Sequence, residues 1–376
     1  MSPVSVDAFK DQIDPLIVLI KDLVERESPS TDKDALDSLG VYVADRMRSL
    51  GATVDRFTQE DQGDHWMGCW GSGPGGLLLL VHLDTVFPIG TLTVMPWQQD
   101  DSHLYGPGSL DMKASLAMAL TAIEHLARDG KLRPDRISLL CTSDEEIGSL
   151  SSRALIEDQA QEHDLVLCLE PALPDGSLKT WRKGILNFEL EATGRAAHAG
   201  SDITAGTNAI VEIAHQIPAL LELADDSAGT TINIGVIQGG SRSNVVPELC
   251  RLQIDVRAKT VEEGQRIMRE IMGLKPVLAR AGLTIQGDWN RPPMERDELM
   301  QATFLRASEI AGRLGLQLAE GGTGGGSDAN FVAGLGKPVL DGLGAIGTGA
   351  HSERERVEIG PLAERCALLA ALISEW

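Results

Sequence analysis

The sequence has little positive charge, and this shortage excludes several classes of partner. Its 376 residues contain 33 lysines and arginines against 55 aspartates and glutamates, a formal net charge of −22. Such a surface repels phosphate backbones and anionic lipid, so we expect no nucleic-acid and no membrane partner. No apolar stretch reaches the length of a membrane span, and Met1–Asp14 carries acids without an apolar signal-peptide core. We therefore expect a cytoplasmic protein.

Cysteine is also scarce, and its distribution excludes a thiolate metal site. The five cysteines are dispersed and show no metal-knuckle spacing: Cys69, Cys141, Cys168, Cys250 and Cys366. An odd, scattered set, mostly within apolar stretches, is typical of reduced core thiols in a reducing compartment. Any metal ligands must then be histidines and carboxylates.

Short apolar runs alternate with helical patterns in the first half of the chain. Leu77–Val81 is apolar throughout, as expected for an interior strand that is covered on both faces. A predicted helix, Met112–Arg128, follows, and further apolar runs lie at Ile137–Cys141 and Leu165–Leu169. This alternation predicts an α/β fold with a mostly parallel sheet and helices on both faces.

The pattern changes near Gly184 and predicts an inserted domain. Strand and helix signals from there follow the order βαββαβ, which is the ferredoxin-like, α+β arrangement. After Pro292-Pro293 the strand–helix alternation resumes. We therefore predict a larger domain in two parts, residues 1–183 and 293–376, interrupted by a smaller domain at residues 184–292.

Histidines and acids stand at the ends of the predicted strands and at one helix start. These positions are His82-Leu83-Asp84, Asp111, Asp144-Glu145-Glu146, Glu170 and His351. Taken singly, each has an ordinary alternative, such as a structural histidine, a helix cap or a solvated acidic turn. Ligands of open α/β sheets collect at the carboxyl ends of the strands, where all five motifs would meet. Because neighbouring carboxylates repel unless a cation holds them, the cluster predicts a metal site.

The donor atoms of this cluster suit a pair of divalent ions. Imidazole and carboxylate groups bind zinc and other first-row metals. Two histidines and three carboxylates suffice for two metals that share one carboxylate, the arrangement of two-metal hydrolases. We expect two divalent metal ions per chain, with zinc first and cobalt or manganese as alternatives.

In these motifs the sequence resembles the co-catalytic dizinc peptidases and deacylases. This family includes aminoacylase, acetylornithine deacetylase, succinyl-diaminopimelate desuccinylase and glutamate carboxypeptidase. The resemblance covers essentially the whole chain and depends on motifs in the family's order: His82-Leu83-Asp84-Thr85-Val86, Gly108-Ser109-Leu110-Asp111-Met112-Lys113, Asp144-Glu145-Glu146-Ile147-Gly148-Ser149, Leu169-Glu170-Pro171 and His351-Ser352. It implies a dizinc exopeptidase-like fold whose insert acts as a lid and dimerisation domain.

The resemblance also implies a role for each motif residue. His82 and Glu170 would bind one metal, Glu146 and His351 the other, and Asp111 would bridge the two. Asp84 would support His82. Glu145 would be the general base that takes a proton from a metal-bridging water and so gives the attacking hydroxide, because a base must not itself be occupied as a ligand.

Five further residues match family positions that contact the substrate or supply local positive charge. His198, in Ala196-Ala197-His198-Ala199-Gly200, resembles the lid histidine that polarises the scissile carbonyl, in its own or a partner subunit's site. Asn244 and Arg257 would hold the substrate's carboxylate, Gly326 lies in a glycine run that would line the site beside it, and Arg291 would supply local positive charge. Two alternatives stay open, namely a histidine in a turn of small residues and a strand arginine paired with Asp255.

Within the family the sequence is most similar to the glutamate carboxypeptidase branch. That resemblance implies release of a C-terminal amino acid, with glutamate as the first candidate, from a short peptide or N-acyl conjugate. The alternative is an N-acyl amino acid deacylase similar to acetylornithine deacetylase or succinyl-diaminopimelate desuccinylase. A non-catalytic metal-binding homologue would lack the base or a ligand, whereas all six positions are present here. The family also implies a homodimer formed through the insert.

Overall fold

The computed structural model describes residues 4–132 and 135–376, which divide into two compact units. Unit 1 runs through Trp181 and includes Arg296–Thr323 and Ser327–Trp376. Unit 2 comprises Arg182–Glu295 and Gly324–Gly326. None of the helices in the described ranges is long and apolar enough to cross a membrane.

The α-helices of the described residues are numbered in chain order. They are α1 (Asp7–Lys10), α2 (Ile13–Val24), α3 (Lys33–Ser49), α4 (Ala114–Arg128), α5 (Arg153–Glu162), α6 (Ala209–Leu221), α7 (Val261–Met272), α8 (Glu298–Arg313), α9 (Ala329–Gly334) and α10 (Leu362–Glu375).

The strands are numbered in the same way. They are β1 (Thr53–Phe57), β2 (His65–Trp70), β3 (Leu77–His82), β4 (Gln98–Gln99), β5 (His103–Tyr105), β6 (Ile137–Thr142), β7 (Leu165–Cys168), β8 (Leu178–Arg182), β9 (Gly184–Thr193), β10 (Thr231–Gly239), β11 (Leu249–Ala258), β12 (Gly282–Arg291), β13 (Glu320–Thr323), β14 (Val339–Leu340), β15 (Gly347–Thr348) and β16 (Arg356–Glu358).

A six-stranded sheet forms the centre of unit 1, in the order β1-β2-β6-β3-β7-β14. Strands β6, β3, β7 and β14 are parallel, whereas β1 and β2 pair antiparallel at one edge. Every residue of β3, β6 and β7 is buried, which explains why their sequences are apolar runs rather than alternating patterns. The predicted α/β fold is confirmed, and its sheet is mixed.

The core of unit 1 lies between this sheet and long apolar helices. Leu77, Leu79 and Val81 pack in one cluster with residues of α2, α3, α4, α8 and α10. Leu78 and Leu80, on the opposite face of the same strand, are also buried. Because side chains alternate between faces along a strand, both faces of the sheet are covered.

Helix starts follow capping chemistry. The side chain of Asp32 accepts a hydrogen bond from the backbone N–H of Ala35, 3.0 Å away, and so begins α3. The sequence pattern favours Thr31 for this cap, which is one residue too early. Asp297 begins α8 in the same way by accepting from the N–H of Met300.

A small sheet that sequence patterns do not predict lies beside the main one. Its order is β15-β16-β5-β4, and Arg356 of β16 pairs with Tyr105 of β5. Strand β5 immediately precedes the loop that contains Asp111, and β16 immediately follows the loop that contains His351. The pairing therefore brings two loops together that are more than 200 residues apart in the chain.

Unit 2 has the predicted βαββαβ order. Its antiparallel sheet has the order β10-β11-β9-β12. Leu186, Phe188 and Leu190 of β9 form a core with α6 and α7, while the residues between them alternate toward solvent. The sequence pattern predicts a helix over Val261–Arg280, whereas α7 ends at Met272 because Gly273 caps it and Pro276 follows.

Candidate metal centre

Three adjacent strands bring their acidic and histidine ends together. His82 is the last residue of β3, Glu145 and Glu146 follow β6, and Glu170 lies two residues after β7. Because β6, β3 and β7 are neighbouring parallel strands, their carboxyl ends share one edge. This is the edge at which open α/β sheets bind ligands.

Asp111 lies between two histidines that come from different parts of the chain. Its Oδ1 lies 3.1 Å from His82 Nε2, and its Oδ2 lies 3.3 Å from His351 Nε2. Each carboxylate oxygen thus faces a different imidazole. A carboxylate placed in this way can bridge two metal ions.

The remaining carboxylates of the centre also lie close to the two histidines. Glu170 Oε1 lies 3.7 Å from His82 Nε2, and Glu146 Oε2 lies 3.1 Å from His351 Nε2. Ligand atoms of His82, Glu145 and Glu170 all lie within 4.8 Å of one another. Ligand atoms of His82, Asp111 and Glu146 also lie within 4.8 Å of one another, so Glu146 lies near both histidines. The distances alone would allow Glu145 to bind metal, so its role as a base stays a prediction.

Asp84 connects the histidine strand to the acidic turn. Its backbone carbonyl oxygen lies 2.9 Å from His82 Nδ1, and its carboxylate Oδ1 lies 3.5 Å from the same nitrogen. The carboxylate also accepts the N–H groups of Glu145 and Glu146, at 3.2 and 3.1 Å, and the hydroxyl of Ser30, at 2.7 Å. With Nδ1 donating to Asp84, a neutral His82 directs the lone pair of Nε2 at Asp111, and either a proton on Nε2 or a metal ion between the two groups would remove the repulsion.

The pKa values of the two histidines show that their carboxylate neighbours favour positive charge at the centre. Hydrogen bonds to Asp111 and Glu146 raise the pKa of His351 to about 10. Burial would lower the pKa of His82, but hydrogen bonds to Asp111 and Asp84 outweigh it and raise that pKa well above its usual value. Burial raises the pKa of Glu146, whereas the two histidines hold the pKa of Asp111 below its usual range despite burial. Divalent cations would take the place of these protons.

The residues present fit a pair of divalent metals. Glu146 Oε1 is buried and has no hydrogen-bond partner among the described residues, as expected for a ligand atom. The donors are imidazole nitrogens and carboxylate oxygens, which suit zinc. The metal-binding roles of His82, Asp111, Glu146, Glu170 and His351 nevertheless remain predictions.

The other predicted site residues all belong to unit 2, where His198 and Asn244 lie on paired segments. His198 is exposed, and its Nδ1 accepts the N–H groups of Gly200 and Ser201 at 3.0 and 3.1 Å. The carbonyl oxygen of Asn244 accepts the N–H of Ala199 at 3.0 Å. Because Nδ1 is an acceptor, a neutral His198 carries its proton on Nε2 and can donate it to a carbonyl oxygen.

The predicted arginines of unit 2 have polar partners within that unit. Arg257 forms two hydrogen bonds to Asp255, of 2.6 and 2.8 Å, the pairing that the sequence leaves open as an alternative. Arg291 is buried and donates to Asn290 Oδ1 at 2.9 Å. A Cβ atom on Gly326 would meet Ile185 at 2.6 Å and Arg291 at 3.2 Å, so only glycine fits there without movement. The substrate-binding roles of these residues stay predictions.

Sequence patterns do not reveal two residues near the centre. Ser30 reaches Asp84 from a segment that precedes α3, and a serine carries no signal for such a contact. Glu355 is fully buried behind the Asp111 loop, although its surroundings in the sequence, Glu353-Arg354-Glu355-Arg356, look like a solvated charge run.

Comparison with known proteins shows the family. Residues 78–375 match the model of peptidase family M20/M25/M40. The chain is 31% identical to carboxypeptidase G2 of Pseudomonas sp. (strain RS-16), over 98% of this chain and 91% of that protein. The chain therefore belongs to the M20/M25/M40 peptidase family, whose enzymes bind two divalent metal ions.

Solved structures share the fold at lower sequence identity. A tripeptidase from Staphylococcus aureus superposes with a TM-score of 0.78 at 20% identity, covering 97% of this chain and 99% of that one. A dinuclear metal-binding M20 peptidase from Bacillus subtilis has a TM-score of 0.69 at 17% identity, covering 97% and 99%. At such identities these structures establish the fold alone.

Proposed function

We propose that this member of the M20/M25/M40 family is a carboxypeptidase that hydrolyses an amide bond and releases a C-terminal amino acid. Glutamate is the first candidate, and the substrate is a short peptide or an N-acyl conjugate. The placement of Asp111, with one oxygen toward each histidine, carries the proposal of two-metal hydrolysis. The 31% identity to carboxypeptidase G2 supports the choice of a C-terminal residue.

Two divalent ions, preferably zinc, would be held by His82 and Glu170 on one side and by His351 and Glu146 on the other. When bound, they would lower the pKa of a water and polarise the scissile carbonyl. Asp111 would hold both ions through its two oxygens. Asp84 would keep His82 in the tautomer whose Nε2 can ligate.

Glu145 is proposed to move the proton during hydrolysis. Its backbone N–H is held by Asp84, while its carboxylate lies in the group formed by His82 and Glu170. In this position Glu145 takes a proton from the attacking water and returns it to the leaving amine nitrogen, which leaves as a neutral amine.

Unit 2 is proposed to supply the contacts to substrate. His198 would donate its Nε2 proton to the carbonyl oxygen and so stabilise the charge that develops there. Arg291 and Asn244 would hold the substrate's carboxylate. Gly326, which has no side chain, would let its own backbone lie close to that carboxylate. Arg257 can take part only if it shares or leaves Asp255.

We further propose a cytoplasmic homodimer formed through unit 2. Strand β10 lies at the edge of its sheet and exposes Val236 and Ile237, which supports pairing with a second copy. All five cysteines are free thiols, which is compatible with a reducing compartment.

The test is hydrolysis of a substrate panel by metal-depleted and zinc-restored protein. The panel contains N-benzoyl-glutamate, its glutamine and lysine counterparts, glutamate-terminated dipeptides, N-acetylornithine and N-succinyl-diaminopimelate. We expect zinc-dependent release of free glutamate, fastest from the N-acyl-glutamate. Cleavage confined to acetylornithine or succinyl-diaminopimelate would instead establish the deacylase, and no hydrolysis with metal bound would refute both.

A further inference from the structure

The small sheet of unit 1 connects two loops that each contribute one predicted metal ligand. Strand β5 leads into the loop Gly106–Asp111, and β16 closes the loop Gly349–Glu355, which contains His351. Both loops lie outside the main sheet, so the strand ends that position His82 do not position these two residues. Some other contact must set the distance between them.

Glu355 makes that contact with its buried carboxylate. Its Oε2 accepts the N–H of Gly108 at 3.0 Å, and its Oε1 accepts the N–H groups of Leu110 and Asp111 at 2.7 and 3.0 Å. The side chain is fully buried. A carboxylate that accepts three backbone N–H groups fixes the path of the backbone that carries Asp111.

The other end of the same short segment carries His351. Its φ is +62°, in the left-handed region that residues other than glycine seldom adopt. The turn around it is closed by hydrogen bonds from Ser352 N to Gly349 O and from Glu355 N to Ser352 O. Such a conformation persists only when its surroundings determine it, and here Glu355 anchors the end of the turn.

We propose that Glu355 is a positioning residue that sets the distance between Asp111 and His351 and thereby the affinity of the centre for its metal pair. It acts through the backbone of the Asp111 loop and contacts neither substrate nor metal. This inference rests on the proposed function, because it presupposes that the centre binds two ions. Partners of metal ligands typically change metal affinity about 10- to 100-fold when they are replaced.

The test compares Glu355→Gln with a matched control, Glu212→Gln. Glu212, in unit 2, is also fully buried, and its carboxylate also accepts backbone N–H groups, those of Val277 and Leu278. Each variant would replace a buried carboxylate oxygen that accepts backbone N–H groups with an amide NH₂ group, so both should lower the melting temperature of the metal-free protein. Only Glu355→Gln should weaken metal binding.

Metal affinity is measured on each full-length protein by competition of Zn²⁺ and Co²⁺ with a chromogenic chelator, together with the visible spectrum of the Co²⁺ form. For Glu355→Gln we expect roughly 10- to 100-fold weaker binding of at least one ion and an altered Co²⁺ spectrum. Glu212→Gln should match the wild type in both. Glu355→Asp, which keeps both carboxylate oxygens on a shorter side chain, should recover part of the affinity, and it replaces the glutamine variant in the test if that variant does not fold.

The possible outcomes separate the two proposals. Unchanged affinity and spectrum in both Glu355 variants would overturn the positioning role alone. Equal losses in Glu355→Gln and Glu212→Gln would also overturn it, since they would reflect general destabilisation. A wild-type protein that binds no metal would overturn the proposed function, and this inference with it.

Discussion

The two histidines of the candidate centre are held in opposite ways. His82 ends a fully buried strand and is 3% exposed. His351 lies in a loop, has a left-handed backbone, and its side chain is 52% exposed. The first is positioned by the sheet itself and the second by a loop anchored through Glu355. We therefore distinguish a core half, His82 with Glu145 and Glu170 at the strand ends, from a loop half, His351 and the loop that Glu355 anchors. We expect substitutions in the loop half to disturb the folded core less than substitutions in the core half.

The largest expected effect is a loss of catalytic rate in a variant that keeps all five predicted metal ligands. Glu145→Gln removes the predicted base but keeps the size of the side chain. We expect kcat to fall about 10²- to 10⁴-fold, the usual contribution of a general base. Elemental analysis should find the same metal content as in the wild type. Loss of metal together with activity would make Glu145 a ligand instead.

The two histidines should differ most in the stability of the metal-free protein. His82→Ala leaves a cavity and removes the donor to the buried carbonyl of Asp84, so we expect about 2–3 kcal/mol of destabilisation. His351→Gly should be less destabilising, because glycine adopts a positive φ without strain and this gain offsets part of the lost hydrogen bonds to Asp111 and Glu146. Urea denaturation of chelator-treated protein measures both values. Equal destabilisation would contradict the distinction between a core half and a loop half.

A smaller effect should follow from Ser30→Ala, which affects only the core half. The variant removes the hydroxyl that donates to Asp84, and we expect about 1 kcal/mol of lost stability with a modest decrease in kcat. Ser49→Ala is the matched control, since its exposed hydroxyl donates to the carbonyl of Arg46 in a helix end. If the two serine variants behave alike in denaturation and activity assays, the hydrogen bond from Ser30 to Asp84 contributes neither to stability nor to catalysis.

The last prediction concerns the pH dependence of folding stability at Asp64, which lies outside both halves of the centre. Burial would raise the pKa of Asp64, but Lys33, Arg56 and the N–H of Gln59 outweigh it and lower that pKa. Its folded-state pKa lies below its unfolded value, so its stabilising contribution is present above about pH 4 and is lost as the pH falls through the folded pKa. Asp64→Asn should therefore be less stable than the wild type near neutral pH, and the difference should shrink below about pH 4. A difference that does not vary with pH, measured on metal-free protein, would disprove this linkage.

The core half of the centre could be predicted from sequence patterns, because buried parallel strands are recognisable as apolar runs. The runs that end near His82, Glu145 and Glu170 predict that these residues share one edge of a sheet, and the strand pairing agrees. The same apolar patterns and the βαββαβ order predict the main elements of both units, with boundaries that differ by a few residues except at the end of α7, which is shorter than predicted.

Sequence patterns predict that Asp111 and His351 join the cluster, but they do not predict the small sheet and the buried contact that hold these two loops together. Strands β15 and β16 contain two and three residues, too few for a hydrophobic period. The burial of Glu355 depends on N–H groups almost 250 residues away, and nothing in its own neighbourhood distinguishes it from Glu353. Contacts of this kind follow from tertiary structure, and local sequence does not encode them in a readable form.

The central claim is that Asp111 joins the two halves by offering one oxygen to each. Metal stoichiometry of the wild type and of Asp111→Asn, measured by elemental analysis after titration with Zn²⁺, tests it most directly. We predict two ions per chain in the wild type and fewer than two, bound more weakly, in the variant, because an amide offers a single oxygen. Two ions bound with unchanged affinity by Asp111→Asn, or fewer than two bound by the wild type, would contradict the claim.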